Sequence, residues 1–102
     1  MPLNEDGSVS FESFEWDEEK CRANIDRHGI DFQDAIRIFD GPVLVERSDR
    51  KGEIRWVAIG ILDGEVISVV YTERSESCRI ISARAARRKE RVAYRALYAG
   101  GA

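Results

Sequence analysis

Four strand-like segments follow one another between residues 43 and 83, and they limit the folds open to this 102-residue chain. The segments are Val43–Glu46, Ile54–Leu62, Val66–Thr72 and Cys78–Ala83. Asp63-Gly64 is a strong two-residue hairpin signal between the second and third segments. Because the connections are too short for crossover units, the segments are predicted to form a four-stranded antiparallel meander.

Two helices are predicted ahead of this sheet. Asp17 is a good N-cap for the first helix, which ends at His28 with Gly29 in the usual C′ position. Asp31 caps the second helix, which ends before residues 40–42. Its apolar residues follow the i, i+3, i+4, i+7 spacing of a packed face: Phe32, Ala35, Ile36 and Phe39.

A third helix is predicted to start at the N-cap Ser82 and to end near Tyr98. Its arginines fall in one narrow stripe: Arg84, Arg87, Arg88, Arg91 and Arg95. The opposite side is predicted to pack on the sheet and carries Ala85, Ala86, Val92, Ala93, Ala96 and Leu97. The predicted fold class is therefore α+β, with two N-terminal helices, a four-stranded antiparallel meander sheet and a C-terminal helix. Residues 14–102 are predicted to form a single domain behind a loose acidic lead-in, residues 1–13.

Charge is distributed unevenly along the chain. Residues 1–40 contain 11 acidic and 4 basic residues, a net charge of −7, whereas residues 74–102 contain 2 acidic and 8 basic residues, a net charge of +6. The basic end is predicted to attract an anion such as nucleic acid, since arginine suits phosphate. A solvated, salt-bridged helix face is the alternative.

The pattern of reactive residues argues against several chemistries. Cys21 and Cys78 have no metal-ligand spacing and the chain has one histidine, so neither a metal nor a cofactor is expected. A Gly-rich phosphate loop and a Ser/His/Asp order are both missing. No apolar run is long enough to span a bilayer and the N-terminus does not resemble a signal peptide, so a cytoplasmic protein without membrane contact is expected.

Several side chains have both a functional and a structural interpretation. Histidine is the one side-chain type whose unperturbed pKa lies near neutrality, which suits His28 to proton transfer, yet a histidine before a helix-ending glycine also stabilises the helix dipole. Lys20 either pairs with nearby carboxylates or adds charge to a cleft. Trp56 and Tyr71 are either core aromatics or a stacking platform for unpaired bases beside Arg55.

Three arginines lie close to the polar turn predicted at residues 73–77 and to the start of the last helix. Arg74, Arg79 and Arg84 are together suited to hold a phosphate. Glu73 is either part of this cluster or the counter-charge to Arg79 across the hairpin.

Blocks distributed over most of the chain resemble the BrnT toxins. The early blocks are residues 14–20, Asn24, His28-Gly29, Phe32, Ala35 and Phe39-Asp40, and the later ones are residues 53–60, 69–74 and 79–84. They occur in the family's order and spacing over about residues 14–95. The resemblance implies a RelE-like fold and a ribonuclease toxin of a type II toxin-antitoxin pair that inhibits translation. It also implies a hetero-oligomer with a BrnA-like antitoxin, which binds operator DNA in place of the toxin.

The resemblance also suggests which residues form the site. Residues on the family pattern are Lys20, Asn24, His28, Trp56, Tyr71, Arg74, Arg79 and Arg84. We hypothesise metal-independent attack by a ribose 2′-hydroxyl, with Arg74, Arg79 and Arg84 stabilising charge, His28 or Tyr71 transferring a proton and Lys20 assisting. RNA binding is predicted for Arg55, Trp56, Arg87, Arg88 and Arg91. Two alternatives are a non-catalytic module whose basic helix docks an acidic partner, and a toxin that acts on DNA-associated machinery.

Overall fold

A computed structural model describes residues 6–98 of the chain. The elements in chain order are β1 (Ser13–Glu15), α1 (Glu18–His28), α2 (Phe32–Ala35), a 3-10 helix (Ile36–Asp40), β2 (Leu44–Arg47), β3 (Trp56–Leu62), β4 (Glu65–Arg74), β5 (Ser77–Ala85) and α3 (Arg88–Tyr98). The predicted α+β class is confirmed. Residues 1–5 of the predicted lead-in lie outside the described residues.

The sheet has five strands in the order β1-β5-β4-β3-β2. Strands β2 to β5 form the predicted antiparallel meander. The predicted four-stranded antiparallel sheet is nevertheless wrong, because β1 pairs with β5 in parallel and makes the sheet mixed. Phe14 holds this added strand in place, since its ring contacts those of Phe11 and Phe39 at centroid distances of 5.8 and 5.6 Å.

Local capping sets the two N-terminal helical segments. The Asp17 carboxylate accepts hydrogen bonds from the backbone N–H groups of Glu19 and Lys20, and Gly29 ends α1 with φ of 71°. Asp31 caps α2 in the same way, through the N–H of Gln33. The predicted second helix is correct only in part, because the α-helix ends after four residues and continues as the 3-10 helix.

The C-terminal helix begins later than the sequence predicts. Strand β5 continues through Ala85, and Ser82 lies opposite Val70 in the sheet instead of capping a helix. Pairing with the long strand β4 outweighs the local helix propensity, since it also buries Ala83 completely. As a result Arg84 lies on a strand, and the five predicted arginines do not share one helix face.

The packed face of α3 also differs from the prediction. Tyr94 is the buried residue of the helix, and its hydroxyl donates to the carbonyl of Pro42 at 2.9 Å. The Tyr98 hydroxyl donates to the carbonyl of Val43 at 2.6 Å. Val92 and Leu97, predicted to pack, are 60% and 57% exposed. Two tyrosines that each combine ring burial with a hydrogen bond therefore define the orientation of α3.

The sheet has a hydrophobic cluster on each face. The larger cluster joins β3, β4 and β5 to residues of α1, α2 and the 3-10 helix. The smaller cluster lies beneath α3 and consists of Val57, Ile59, Val66, Ala86 and Tyr94. Because α3 contacts only part of this second face, it leaves uncovered the end of β4 and the start of β5, on either side of the turn at residues 75–76. None of the helices formed by residues 6–98 has the length and apolar character needed to span a membrane.

Asn24 joins α1 to β5 by three hydrogen bonds. Its amide nitrogen donates to the carbonyls of Ile30 and Ala83 at 2.8 and 2.9 Å, and its amide oxygen accepts from the N–H of Ala83 at 3.0 Å. The side chain is 6% exposed. It therefore fixes the distance between the helix and the strand.

We expect Asn24→Ala to lower the free energy of unfolding by about 2 kcal/mol, because buried backbone groups lose their partners. Urea denaturation measures the change. Arg22→Ala is the control, since Arg22 is an exposed residue of the same helix. Equal stability of the two variants would contradict a structural role for Asn24.

Candidate functional site: a basic groove

Two adjoining depressions cross the open part of the second sheet face and meet at Lys20 and Ile81. The first, about 100 Å³, is lined by Lys20, Glu53, Arg55, Thr72, Arg74, Arg79 and Ile81. The second, about 180 Å³, is lined by Lys20, Ala23, Asn24, Arg27, His28, Ile81 and Ser82. We call the two together the basic groove.

A β-bulge in the β4–β5 pair determines which residues of β5 face the groove. Tyr71 pairs with Ile80 but Val70 pairs with Ser82, so Ile81 is an extra residue. The bulge reverses the alternation of side chains along the strand. Ile80 and Ala83 therefore both face the larger core cluster, while Ile81 and Ser82 both line the groove.

Sheet geometry brings three arginines to the first depression. Arg79 lies opposite Thr72 in the sheet, on the face away from the buried Cys78. Arg74 ends β4, and Arg55 immediately precedes β3. These residues come from three neighbouring strand ends, which is why they are dispersed in the sequence but close in the fold.

The groove keeps an excess of positive charge after its ion pairs are counted. Arg79 binds Glu15 of β1 at 2.8 Å, and Arg55 binds Glu53 at 2.7 Å. Within residues 6–98, the other lining cations form no ion pair: Lys20, Arg27 and Arg74. Arginine and lysine side chains with available donors suit a phosphate.

Glu73 neither lines the groove nor pairs with Arg79, the two roles considered for it. Glu73 lies opposite Cys78, whose neighbour Arg79 faces the other side of the sheet. The carboxylate that neutralises Arg79 comes from Glu15, on the strand that the sequence prediction omitted.

Arg84 lies on the same sheet face but outside the groove. Its guanidinium binds the Glu90 carboxylate of α3 through two hydrogen bonds of 2.7 and 3.1 Å. The Ser68 hydroxyl and the backbone N–H of Arg87 donate to the same carboxylate. Burial opposes ionisation of Glu90, but these hydrogen bonds prevail and lower its pKa to about 2. Arg84 therefore joins β5 to α3.

The predicted aromatic residues lie on the opposite, core face of the sheet. Tyr71 has no exposed surface, and its ring contacts those of Phe11 and Phe39 at 5.5 Å. Burial raises its pKa well above the ordinary value, so it is a poor proton donor or acceptor near neutrality. Trp56 lies opposite Tyr71 in the sheet, with the Arg47 guanidinium 5.8 Å from its ring. Neither aromatic lines the groove.

The three helix arginines predicted to bind RNA also lie outside the groove. Arg87 lines a separate depression between β2 and α3, together with Glu46 and Lys89. Arg91 donates to the carbonyl of Ala86 at 2.6 Å, and Arg88 is an exposed residue in the first turn of α3. Their separation from the groove follows from the late start of α3.

The groove contains one arginine that the sequence analysis did not select. Counted from Lys20, Asn24 lies at i+4 and His28 at i+8, and Arg27 at i+7 lies on that same helix face. Arg27 lines the second depression beside His28. The helical spacing was therefore a sufficient signal for it.

We expect Tyr71→Phe to leave RNA cleavage near the wild-type rate while lowering the free energy of unfolding by about 1 kcal/mol. The hydroxyl is buried away from the groove, so its loss affects the core alone. Cleavage assays and urea denaturation on the same preparation separate the two effects. A large loss of activity in a stable variant would place Tyr71 in the reaction.

Comparison with known proteins identifies the class of this chain. Its fold is similar to the crystal structure of the Brucella abortus ribonuclease toxin BrnT, with 33% sequence identity and a TM-score of 0.58 over 74% of this chain and 97% of that chain. No curated protein matches it. A family model described as "Ribonuclease toxin, BrnT, of type II toxin-antitoxin system" matches residues 16–90. The chain belongs to the BrnT family, which confirms the resemblance and implies an antitoxin partner and an RNA substrate.

Proposed function

We propose that the basic groove is the active site at which this toxin cleaves RNA without a metal ion. The observation that carries the proposal is the convergence of Lys20, Arg55, Arg74 and Arg79 on one small depression. Such a cluster binds a phosphodiester and stabilises the extra negative charge of a phosphorane. The first depression is lined by four cations and one carboxylate, Glu53, so we assign stabilisation of the charge to the cations.

The proposed reaction is internal transfer at phosphorus. The ribose 2′-oxygen attacks the adjacent phosphorus and releases its proton to water, the bond from phosphorus to the 5′-oxygen breaks, and that oxygen takes up a proton from Lys20. The products are a 2′,3′-cyclic phosphate and a 5′-hydroxyl. Arg74 and Arg79 stabilise the charge on the non-bridging oxygens, because both line the first depression.

Proton transfer to the leaving oxygen is proposed for Lys20 of α1, which lines both depressions and so lies beside a phosphate held in the first. His28 lines only the second depression, eight residues and about 12 Å further along the helix axis, so it does not reach the reacting atoms. Arg55 contributes to binding rather than chemistry, since Glu53 already takes up its Nε donor.

The partner we propose is a BrnA-like antitoxin that contacts operator DNA in place of the toxin. Family membership supports an antitoxin, and the division of roles on operator DNA follows the resemblance to the BrnT toxins. Since the substrate is RNA, the proposed place of action is the cytoplasm.

The test is to incubate purified toxin, free of antitoxin, with single-stranded RNA in EDTA and to identify the fragment ends. We expect cleavage with 2′,3′-cyclic phosphate ends, and no cleavage of the same sequence with 2′-O-methyl groups. The toxin bound to its antitoxin is the matched control and is expected not to cleave the RNA. Cleavage that needs added Mg²⁺, or that leaves 3′-hydroxyl ends, would contradict the proposed chemistry.

A further inference from the structure

We propose that the second depression of the groove binds a neighbouring phosphate of the same RNA strand, with Arg27 as its specific ligand. The proposal rests on the proposed function, in which the scissile phosphate occupies the first depression. It assigns to this chain a substrate at least one nucleotide longer than the chemistry requires.

Continuity of the surface is the first argument. Both depressions are lined by Lys20 and Ile81, so a phosphate in one lies next to the same two side chains as a phosphate in the other. The second depression is also the larger, at about 180 Å³ against about 100 Å³. A single phosphate in the first depression therefore leaves most of the groove for the rest of the strand.

The available charge is the second argument. Arg27 lies seven residues after Lys20 on α1, about 10 Å along the helix axis. Arg27 is exposed and forms no ion pair with any residue between positions 6 and 98, so its guanidinium can bind a phosphate without first leaving a carboxylate. Ser82 provides a hydroxyl on the opposite wall.

Rigidity of the floor is the third argument. Asn24 lies between Lys20 and Arg27 on the helix, and its amide is fully engaged with Ile30 and Ala83. It does not compete for the phosphate, and it holds the helix at a fixed distance from β5. The separation between the two phosphate positions is therefore set by the fold and not by flexible side chains alone.

The experiment measures how affinity grows with RNA length, using 2′-O-methyl RNA of two and of eight nucleotides, which the toxin does not cleave. The wild type should bind the eight-nucleotide RNA more tightly than the two-nucleotide RNA. We expect this gain in affinity to be about tenfold smaller in Arg27→Ala. The salt dependence of eight-nucleotide binding should fall by about 0.7 in log-log slope, the value for one phosphate contact on a single strand. Arg27→Lys should recover part of both effects.

Arg22→Ala is the matched control, because it removes the same charge from an exposed position of the same helix outside the groove. An equal loss in Arg22→Ala and Arg27→Ala would overturn the proposal, as it would indicate only a general effect of net charge. The proposal would also be overturned if affinity depended on RNA length in Arg27→Ala as it does in the wild type. The binding experiment does not depend on cleavage, because the 2′-O-methyl probe is not cut. If the nuclease proposal fails, the wild type still binds this probe but does not cleave unmodified RNA.

Discussion

Arg79→Ala lowers the rate constant for RNA cleavage by about 10²- to 10³-fold, the usual cost of losing one donor to a developing oxyanion. Arg79 is held on β5 by sheet pairing and by its ion pair with Glu15, so its guanidinium is positioned before the substrate binds. Single-turnover cleavage of saturating RNA measures the effect on the chemical step. Arg79→Lys should recover only part of the rate, since lysine keeps the charge but not the planar fork.

Arg37→Ala is the control for this variant. Arg37 also forms an ion pair with a carboxylate, that of Asp63 at 2.8 Å, but it lies on the 3-10 helix and does not line the groove. We expect Arg37→Ala to cleave RNA at the wild-type rate. If Arg79→Ala is well folded and cleaves RNA at the wild-type rate, the active site is elsewhere.

Glu90→Gln lowers the free energy of unfolding by about 2 kcal/mol and the Tm by about 10 °C at neutral pH. The carboxylate receives hydrogen bonds from Arg84, Ser68 and the N–H of Arg87, and both charged side chains are largely buried, at 16% exposure for Glu90 and 19% for Arg84. The amide accepts fewer of these bonds and leaves the Arg84 charge without a partner. Thermal and urea denaturation measure the loss. Asp63→Asn is the control, because it removes a carboxylate from the exposed ion pair with Arg37, and its free energy of unfolding is expected to stay near that of the wild type.

The effect of Glu90 depends on pH in a defined direction. Its pKa lies at about 2 in the folded protein against an ordinary value of 4.5. The stabilisation is therefore fully present above pH 4.5 and is lost as the pH falls towards 2. We expect the stability difference between wild type and Glu90→Gln to shrink by more than half between pH 7 and pH 3. A difference that stays constant over this range would assign the effect to packing and not to charge.

Local signals in the sequence were sufficient where local interactions decide the structure. The caps Asp17 and Asp31 and the hairpin Asp63-Gly64 each act over a few residues, and each appears as predicted. Strand β1 and the start of α3 depend on distant pairing with β5 and β4, which a local pattern does not reveal. An Ala/Arg-rich segment after a serine is typical of a helix start, but the sheet extends through it.

The same distinction applies to the site. Arg74 and Arg79 were predicted from their position at strand ends, and the groove contains both. Arg84 was grouped with them, yet it is bound to Glu90, because the late start of α3 places that carboxylate over the end of β5. The bulge at Ile81 reverses side-chain alternation, and no residue type in the sequence marks it.

The hydrogen bonds of Asn24 have a consequence for association between copies of this protein. β1 pairs with β5 only as far as Arg79, and the rest of this sheet edge is covered by α1 instead of a strand. Asn24 binds both the N–H and the C=O of Ala83, the two groups that an incoming strand would need. A single side chain thus occupies the pairing groups of this edge from beneath α1, so a strand of another molecule could pair there only if the helix moved away.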